Sequence, residues 1–406
     1  IFEGAFEYLN TQVRTDVLIR KKGGWELLEA KSSKKLKPEH IPDIAIQSFI
    51  VRKCMKQLGT NLTAVKLIHI NGDFTLKEED NYEGLINDEN NITRKVIEEE
   101  EKIPKYIKDF ILFTNRNSPC PEKEMGNHCK KPYDCDYQNK CKSLLAKSDI
   151  TPFTILPYIG KDERCGLIEF MKSQGTTDLQ KVPSKFFRDR KGYAPGYHKI
   201  IQDAHKNNEP WFSENLKNIL KKFNFPFYFM DFEHVGQVVP IIKGTQPYFR
   251  LPFQWSVYKW ESLDKKIKQG KEKSFLDFDD QNIERKFVEK LLKAVGKDGT
   301  IFAHSADTVE ISILNELKEK DNCKDFADKI DNLIKRTTDT NKLVRENFYH
   351  PKMNGDYRIK SIIKVMPHSG ISYEEKDNIE GGDDAQLAWF IYTNPKTSKK
   401  EQERQI

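Results

Sequence analysis

The run FPFYFMDFEHV sets the hardest constraint on this chain. It is apolar and aromatic enough to be a buried strand, yet it ends in Asp231 and Glu233, which a period of two places on one face. Carboxylates that close a hydrophobic strand are costly to desolvate unless a metal ion or other cations compensate them. A second acidic set lies near the N-terminus, where Asp16 stands in VRTDVLIR and Glu29-Ala30-Lys31 follow in WELLEAKSS after a turn. Two such sets point to phosphodiester chemistry, because hydrolysis at phosphorus uses cations held by clustered oxygens.

A length of 406 residues allows two or three domains that bury their cores without disulfides. With 37% hydrophobic residues, 25 Phe and 15 Tyr, the chain is expected to be globular. No apolar stretch approaches the roughly 20 residues of a membrane span. There is no signal-peptide pattern, and 7 Cys is an odd number, so a reducing cytoplasm is the expected compartment, with no membrane partner. The net charge of +6 permits phosphate binding without demanding it. The chain opens at Ile1 with FEGAFEYL already alternating like a strand, so its first domain is expected to begin upstream.

Residues 1 to about 33 read as three antiparallel strands, with turns at Asn10 and at Gly23-Gly24. Glu29 and Lys31 then share a face of the third strand. Asp16, Glu29 and the Ala30 carbonyl would supply oxygen ligands for a hard cation, and Lys31 would orient or activate the attacking water. Taken alone, Glu-x-Lys reads more readily as a solvated strand edge with an ordinary Glu/Lys pair. Next, DIAIQSFIVRKCMKQLG is an amphipathic helix ending at Gly59, with Gln47 one turn beyond Asp43. The order Asp16, Glu29-x-Lys31 and a helix bearing Gln47 resembles the RecB-like branch of the PD-(D/E)xK nuclease superfamily. The resemblance covers residues 1 to about 145. It implies metal binding by Asp16 and Glu29, a catalytic role for Lys31 and a supporting role for Gln47. That branch usually adds a Tyr a turn after the Gln, where this chain has Val51.

Four cysteines, Cys120, Cys129, Cys135 and Cys141, fall within PCPEKEMGNHCKKPYDCDYQNKC, whereas Cys54, Cys165 and Cys323 are scattered and read as core thiols. The cluster spacing does not match the C-x2-C knuckle of ordinary structural zinc sites. Iron-sulfur ligation tolerates wider spacing, and four thiolates can close such a cluster. Some RecB-like nucleases carry one cysteine upstream of the nuclease motifs and three downstream, holding a 4Fe-4S cluster. Cys129, Cys135 and Cys141 resemble those three, with Cys120 as the candidate fourth ligand. Zinc, with His128, and unligated thiols stay open as alternatives.

In the middle of the chain, the consecutive Glu98, Glu99, Glu100 and Glu101 read as a solvated helix face. From about 150 to 225 the pattern becomes short helices punctuated by Pro and Gly. There KFFRDRKGYAPGYHK interleaves Lys185, Arg188, Arg190, Lys191 and Lys199 with Phe186, Phe187, Tyr193 and Tyr197. That is a candidate single-strand path, with cations for phosphates and rings for bases. The competing reading is a basic surface loop whose rings pack inward.

Beyond the Asp231 strand, PFQWSVYKW and GTIFAHS read as strands flanking a helix in NIERKFVEKLLKAVG, and a helix beginning near Asp307 carries Glu310. Asp339 sits at a helix start as an N-cap, and Asp383 and Asp384 open a last amphipathic helix. Acid pair on a strand, acid on a mid-domain helix and acid on the last helix is an order that resembles the DnaQ-like, or DEDD, exonucleases of the RNase H fold. DFEHVGQVVPIIKGTQPYFRLPFQWSVY and FYHPKMNGDYRIKSIIKVMP further resemble a bacterial family of unknown function that joins a RecB-like half to a DEDD half, over nearly the whole chain. The resemblance implies Asp231 and Glu233 as metal ligands, Glu310 in preference to Asp307 as the second acid, and Asp384 or Asp383 as the last. DEDD enzymes usually place a His or Tyr four or five residues before the last Asp. Here Ile379 and Glu380 stand there, and His368 and Tyr373 are the nearest such groups.

The expected fold is therefore α/β: a RecB-like PD-(D/E)xK nuclease core with its cysteine cluster over 1–148, a helical connector over 149–225, an RNase H-like mixed-sheet domain over 226–395 and a charged tail over 396–406. The expected activity is that of a nuclease using Mg2+ or Mn2+ at both sites and carrying a 4Fe-4S cluster, with zinc as the alternative. Its expected partner is nucleic acid, DNA first and RNA second. The rivals are a nucleic-acid binding protein whose DEDD half has lost turnover, and an RNA-processing exonuclease.

Overall fold

The computed structural model of the protein describes residues 1–114, 135–137, 140, 150–157, 161–264, 273–278, 282–366, 382–394 and 396–403. It is a mixed α/β structure that divides into two units, Ile1–Lys123 with Gly236–Phe249, and Glu124–Val235 with Arg250–Ile406. Among the described residues no helix is long and apolar enough to cross a membrane.

In the first unit, β1 (Phe2–Tyr8), β2 (Thr11–Lys21), β3 (Gly24–Lys31), β4 (Leu62–Ile70) and β5 (Ile86–Asn91) form one sheet in that order. The β1–β2, β2–β3 and β4–β5 pairs are antiparallel, and β3–β4 is parallel. Leu9 and Asn10 form the first hairpin turn with φ of 51° and 56°, the two-residue turn whose twist suits paired strands. At the second, Gly24 has φ +156°, and a Cβ there would lie 2.4 Å from the Asn61 backbone oxygen, so a side chain has no room.

A parallel pair needs a crossover, and α1 (His40–Gln57) supplies it between β3 and β4. Its buried stripe of Ile44, Ser48, Val51 and Met55 follows helical spacing. The helix shares a core with Leu18, Leu27, Val65 and Leu67 of the sheet, closed by Val96 of α2 (Thr93–Glu100) and Ile107 of α3 (Ile103–Thr114). The glutamate run is only partly a solvated face. Glu98 and Glu101 are exposed, but Glu100 is buried, where it accepts from Ser48 Oγ at 2.5 Å and from Arg52 Nε at 3.2 Å. These partners offset its desolvation. The segment Gly236–Phe249 also belongs to this unit, and its Gly244 and Thr245 exchange backbone hydrogen bonds with Leu76 at 2.8 and 3.0 Å.

The second unit opens with helices Lys161–Ser173 and Tyr197–Asn207. They do not form a separate module, because Leu167, Met171, Tyr197 and Ile201 share one core with Phe348, Tyr349, Met353 and Tyr357 from far along the chain. A small antiparallel pair, β6 (Trp211–Phe212) with β12 (Phe348–Tyr349), closes the same long-range contact. Tyr193 and Tyr197 are buried in this core, and Phe186 and Phe187 pack against it. The rings of KFFRDRKGYAPGYHK are thus core residues and not a stacking platform for bases. Its cations Lys185, Arg188, Arg190, Lys191 and Lys199 are exposed.

The main sheet of this unit has the order β11 (Thr337–Asp339), β10 (Thr300–Ala303), β7 (Phe227–Gly236), β8 (Arg250–Trp260), β9 (Lys273–Leu276). β7, β10 and β11 are parallel, and β8 and β9 antiparallel. β7 is buried on one face through Tyr228, Met230 and Phe232, the last meeting Phe287 of helix Ile283–Val295 edge-on at 4.9 Å. Phe229 and Asp231 take the opposite, accessible side. The central strand thus delivers its acids to the face that this helix leaves open.

Candidate functional site

The β2–β3 register pairs Val17 with Leu28, so Asp16 and Glu29 are the next residues out along the two strands. Asp16 Oδ2 accepts the backbone N–H of Ala30 at 2.7 Å. Glu29 is 5% exposed. Burial raises the pKa of its carboxyl, and nearby Asp16 adds to the rise, while Lys31 and the Gln47 amide oppose it. Lys31 Nζ donates to Glu29 Oε1 at 2.9 Å and to Asp43 Oδ2 at 2.5 Å. Burial pulls the Lys31 pKa down, but the Asp43 and Glu29 carboxylates outweigh it and leave it raised. Asp43 and Gln47 come from the first turns of α1, one turn apart, so the crossover helix and the strand end meet at Lys31. The buried His40 at the head of α1 has its pKa lowered by burial and by Lys31. Gln47 Oε1 and Glu29 Oε2 are buried without a hydrogen-bond partner.

The second acidic set lies on β7 and on helix Glu310–Lys318. Asp231 keeps an accessible side, yet the protein packed around it strips part of its hydration and raises its pKa. Glu233 is pushed up to about 7 by burial and then by Asp231. Glu310 is 2% exposed and is also pushed up to about 7, by burial first, with Asp231 and Asp339 adding and the backbone amides of Glu310 and Phe232 pulling the other way. Its Oε2 is buried without a partner. Asp307, the other candidate, is exposed.

Two residues hold the Glu310 helix start. Arg250 on β8 donates to the Thr308 carbonyl at 2.9 Å and also to Ser312 and Glu316. Asp339 is buried; it accepts from Ser305 N at 3.1 Å and Asp307 N at 3.2 Å while capping helix Thr340–Asn347 through Asn341 N and Lys342 N. Asp384 sits half-buried on helix Gly382–Thr393. The side chain of Asp383, and His368, Tyr373, Ile379 and Glu380, lie outside the described residues.

The structure thus brings Asp16, Glu29, Lys31 and Gln47 together, and separately Asp231, Glu233 and Glu310. Among the described residues no group of three or more His, Cys, Asp or Glu side chains gathers as a ready-made ion cage. The donor chemistry at both places still fits a hard divalent cation, because each holds a buried carboxylate oxygen with no donor. Sequence reasoning passed over Asp43 as a partner of Lys31 and Arg250 as the support of Glu310. The spacing of Asp43 and Gln47 by four residues, which puts both on one helix face, was the available signal for the first.

Cys120, Cys129, Cys141 and His128 lie outside the described residues, and Cys135 is half-buried. Cys323 is buried, which pushes its thiol up to about 11, and half-buried Cys54 donates to the Glu7 carbonyl at 3.3 Å. Both are packed thiols.

Residues 228–358 match a family described as a domain of unknown function (DUF2779). The match takes in Asp231, Glu233, Glu310 and Asp339, and leaves Asp16, Glu29, Lys31 and Gln47 outside it. No curated protein and no solved structure matches the chain.

Proposed function

We propose that this chain is a metal-dependent nuclease with two hydrolytic sites. One is a PD-(D/E)xK-type site on Asp16, Glu29, Lys31 and Gln47. The other is a DEDD-type, 3′–5′ exonuclease-like site on Asp231, Glu233, Glu310 and Asp384. The observation that carries the reading is that Glu29 Oε2 and Glu310 Oε2 are each buried without a partner in the neighbourhood of a second acid. An unsatisfied buried carboxylate oxygen is unfavourable, and a divalent cation relieves it. When bound, such an ion supplies the charge that acidifies water and offsets negative charge on a leaving oxygen.

The chain's own residues do the positioning. Asp16 is oriented by the Ala30 N–H, and Lys31 holds an ammonium 2.9 Å from Glu29, where it can orient the attacking water and stabilise charge developing on the phosphate. At the second site Asp231 is accessible to a strand end, while Glu310 is fixed behind it by the loop that Asp339 and Arg250 hold. The sheet orders support both assignments by analogy: a Glu-x-Lys strand followed by a crossover helix bearing Gln, and an acid-bearing first strand in the middle of a 3-2-1-4-5 sheet. DNA is the proposed substrate and RNA the alternative; the cysteine cluster is proposed to bind 4Fe-4S, with zinc as the alternative.

A second reading applies to the second unit alone, namely nucleic-acid binding without turnover. It is favoured by the sequence before Asp384, where Ile379 and Glu380 stand at the places in which DEDD enzymes usually carry a His or Tyr. Incubation of the protein with labelled single-stranded DNA, duplex DNA and RNA tests the proposal. Degradation that requires Mg2+ or Mn2+ and stops with a chelator supports it, and intact substrates under every condition refute it.

A further inference from the structure

We propose that Asp43 is a positioning residue, which holds the Lys31 ammonium from a second element, α1, and so sets the geometry of the first site without touching substrate. This rests on the nuclease reading of that site. A lysine ammonium carries three N–H donors on a flexible four-carbon stem. Two of the three go to carboxylates on different elements, Glu29 of β3 at 2.9 Å and Asp43 of α1 at 2.5 Å. One remains for water or phosphate. With Glu29 alone, the ammonium would be held only by its own strand, two residues away, and would sit on the carboxylate proposed to meet the cation. Asp43 adds an anchor on a rigid helix, and the helix is itself packed on the sheet through Ile44 and Ala45, next in sequence to Asp43. Two anchors of separate origin restrict the stem before substrate arrives, which is how a catalytic group gains rate from orientation.

The competing explanation is that Asp43 is a first-turn acid that favours the N-terminus of α1. Its side chain is 52% exposed, so an ion pair there adds little to stability. The two accounts separate cleanly. In protein with 15N-labelled lysine, the Lys31 ammonium, identified by its absence in Lys31→Arg, should give a resonance protected from exchange, and Asp43→Asn should lose it. Cleavage is then followed with the second site disabled by Asp231→Ala. There Asp43→Asn should lower kcat about 10-fold with KM within about 2-fold, Asp43→Glu should recover part of the loss, and Asp43→Asn should have no further effect when Lys31 is already Ala. A protected resonance that survives in Asp43→Asn overturns the proposal, as does a further loss of rate in the Lys31→Ala background. If the Asp231→Ala protein cleaves nothing, the nuclease reading of the first site fails, and the resonance alone decides whether Asp43 holds Lys31.

Discussion

Asp16 Oδ2 accepts the backbone N–H of Ala30 at 2.7 Å, which ties the acid of one strand to the residue standing between Glu29 and Lys31 on the next. The bond orients the Asp16 carboxylate within the sheet and so aligns it with Glu29. Asp16→Asn keeps an acceptor for Ala30 and removes the charge. It is expected to leave the melting temperature within about 2 °C of wild type, since surface substitutions without a lost contact are near neutral, while abolishing first-site cleavage. Lys31→Ala should lower that cleavage by ~100-fold or more. Both are measured with Asp231 already replaced; full cleavage in either variant makes this place an ordinary strand edge.

Glu310 predicts a pH dependence of stability. Its folded pKa of about 7 lies above the ordinary value of 4.5, so the folded state holds this proton more tightly than the unfolded chain. The resulting stability is fully present below about pH 4.5 and is lost as pH rises through about 7. In metal-free protein, Glu310→Gln should therefore match wild type near pH 4 and exceed it at pH 8, by at most about 3 kcal/mol. Added Mg2+ or Mn2+ at pH 8 should stabilise wild type more than the variant. Chemical denaturation across pH decides it; a difference between the two proteins that does not change with pH contradicts the cause given for the shift.

Asp339 gathers four backbone N–H groups, from Ser305, Asp307, Asn341 and Lys342. Asp339→Ala leaves the helix start and the loop ahead of Glu310 unsatisfied, at a cost of roughly 2–4 kcal/mol. Unfolding by urea should show this loss, and limited proteolysis should cut first in 305–309. Unchanged stability would mean that water replaces the carboxylate at no cost.

The cysteine cluster predicts colour. Protein purified without oxygen should be brown, with iron and sulfide in stoichiometric amounts, and Cys135→Ser should loosen the fold around the cluster, because metal binding and folding are coupled. Colourless protein with one zinc instead assigns the site to zinc.

Local pattern revealed local structure. The first three strands, α1 and the β7 strand follow from period-2 and helical spacing, and the hairpins at Asn10 and Gly23-Gly24 from residues that tolerate positive φ. What the sequence hid depends on partners far along the chain. Glu100 looks solvated within a run of glutamates until Arg52 and Ser48 appear beside it. Tyr193 and Tyr197 look like stacking rings because alternation with cations does not distinguish a surface from a lining, and their burial depends on residues 348–362. The role of Arg250 needs Ser312 and Glu316, more than sixty residues away. Of the acids, Asp231, Glu233 and Glu310 are spaced by strand and helix rules, whereas the placement of Asp384 depends on the packing of the last helix.

The claim of two separate sites is tested most directly by end-labelled single-stranded DNA with Mg2+ or Mn2+, comparing wild type, Lys31→Ala, Asp231→Ala and the double variant. Wild type should produce both a ladder shortened one nucleotide at a time and Lys31-dependent fragments. Asp231→Ala should remove the ladder and keep the fragments, Lys31→Ala should do the reverse, and the double variant should leave the DNA intact. A double variant that degrades DNA as fast as wild type would contradict the account, because the chemistry would then lie elsewhere in the chain.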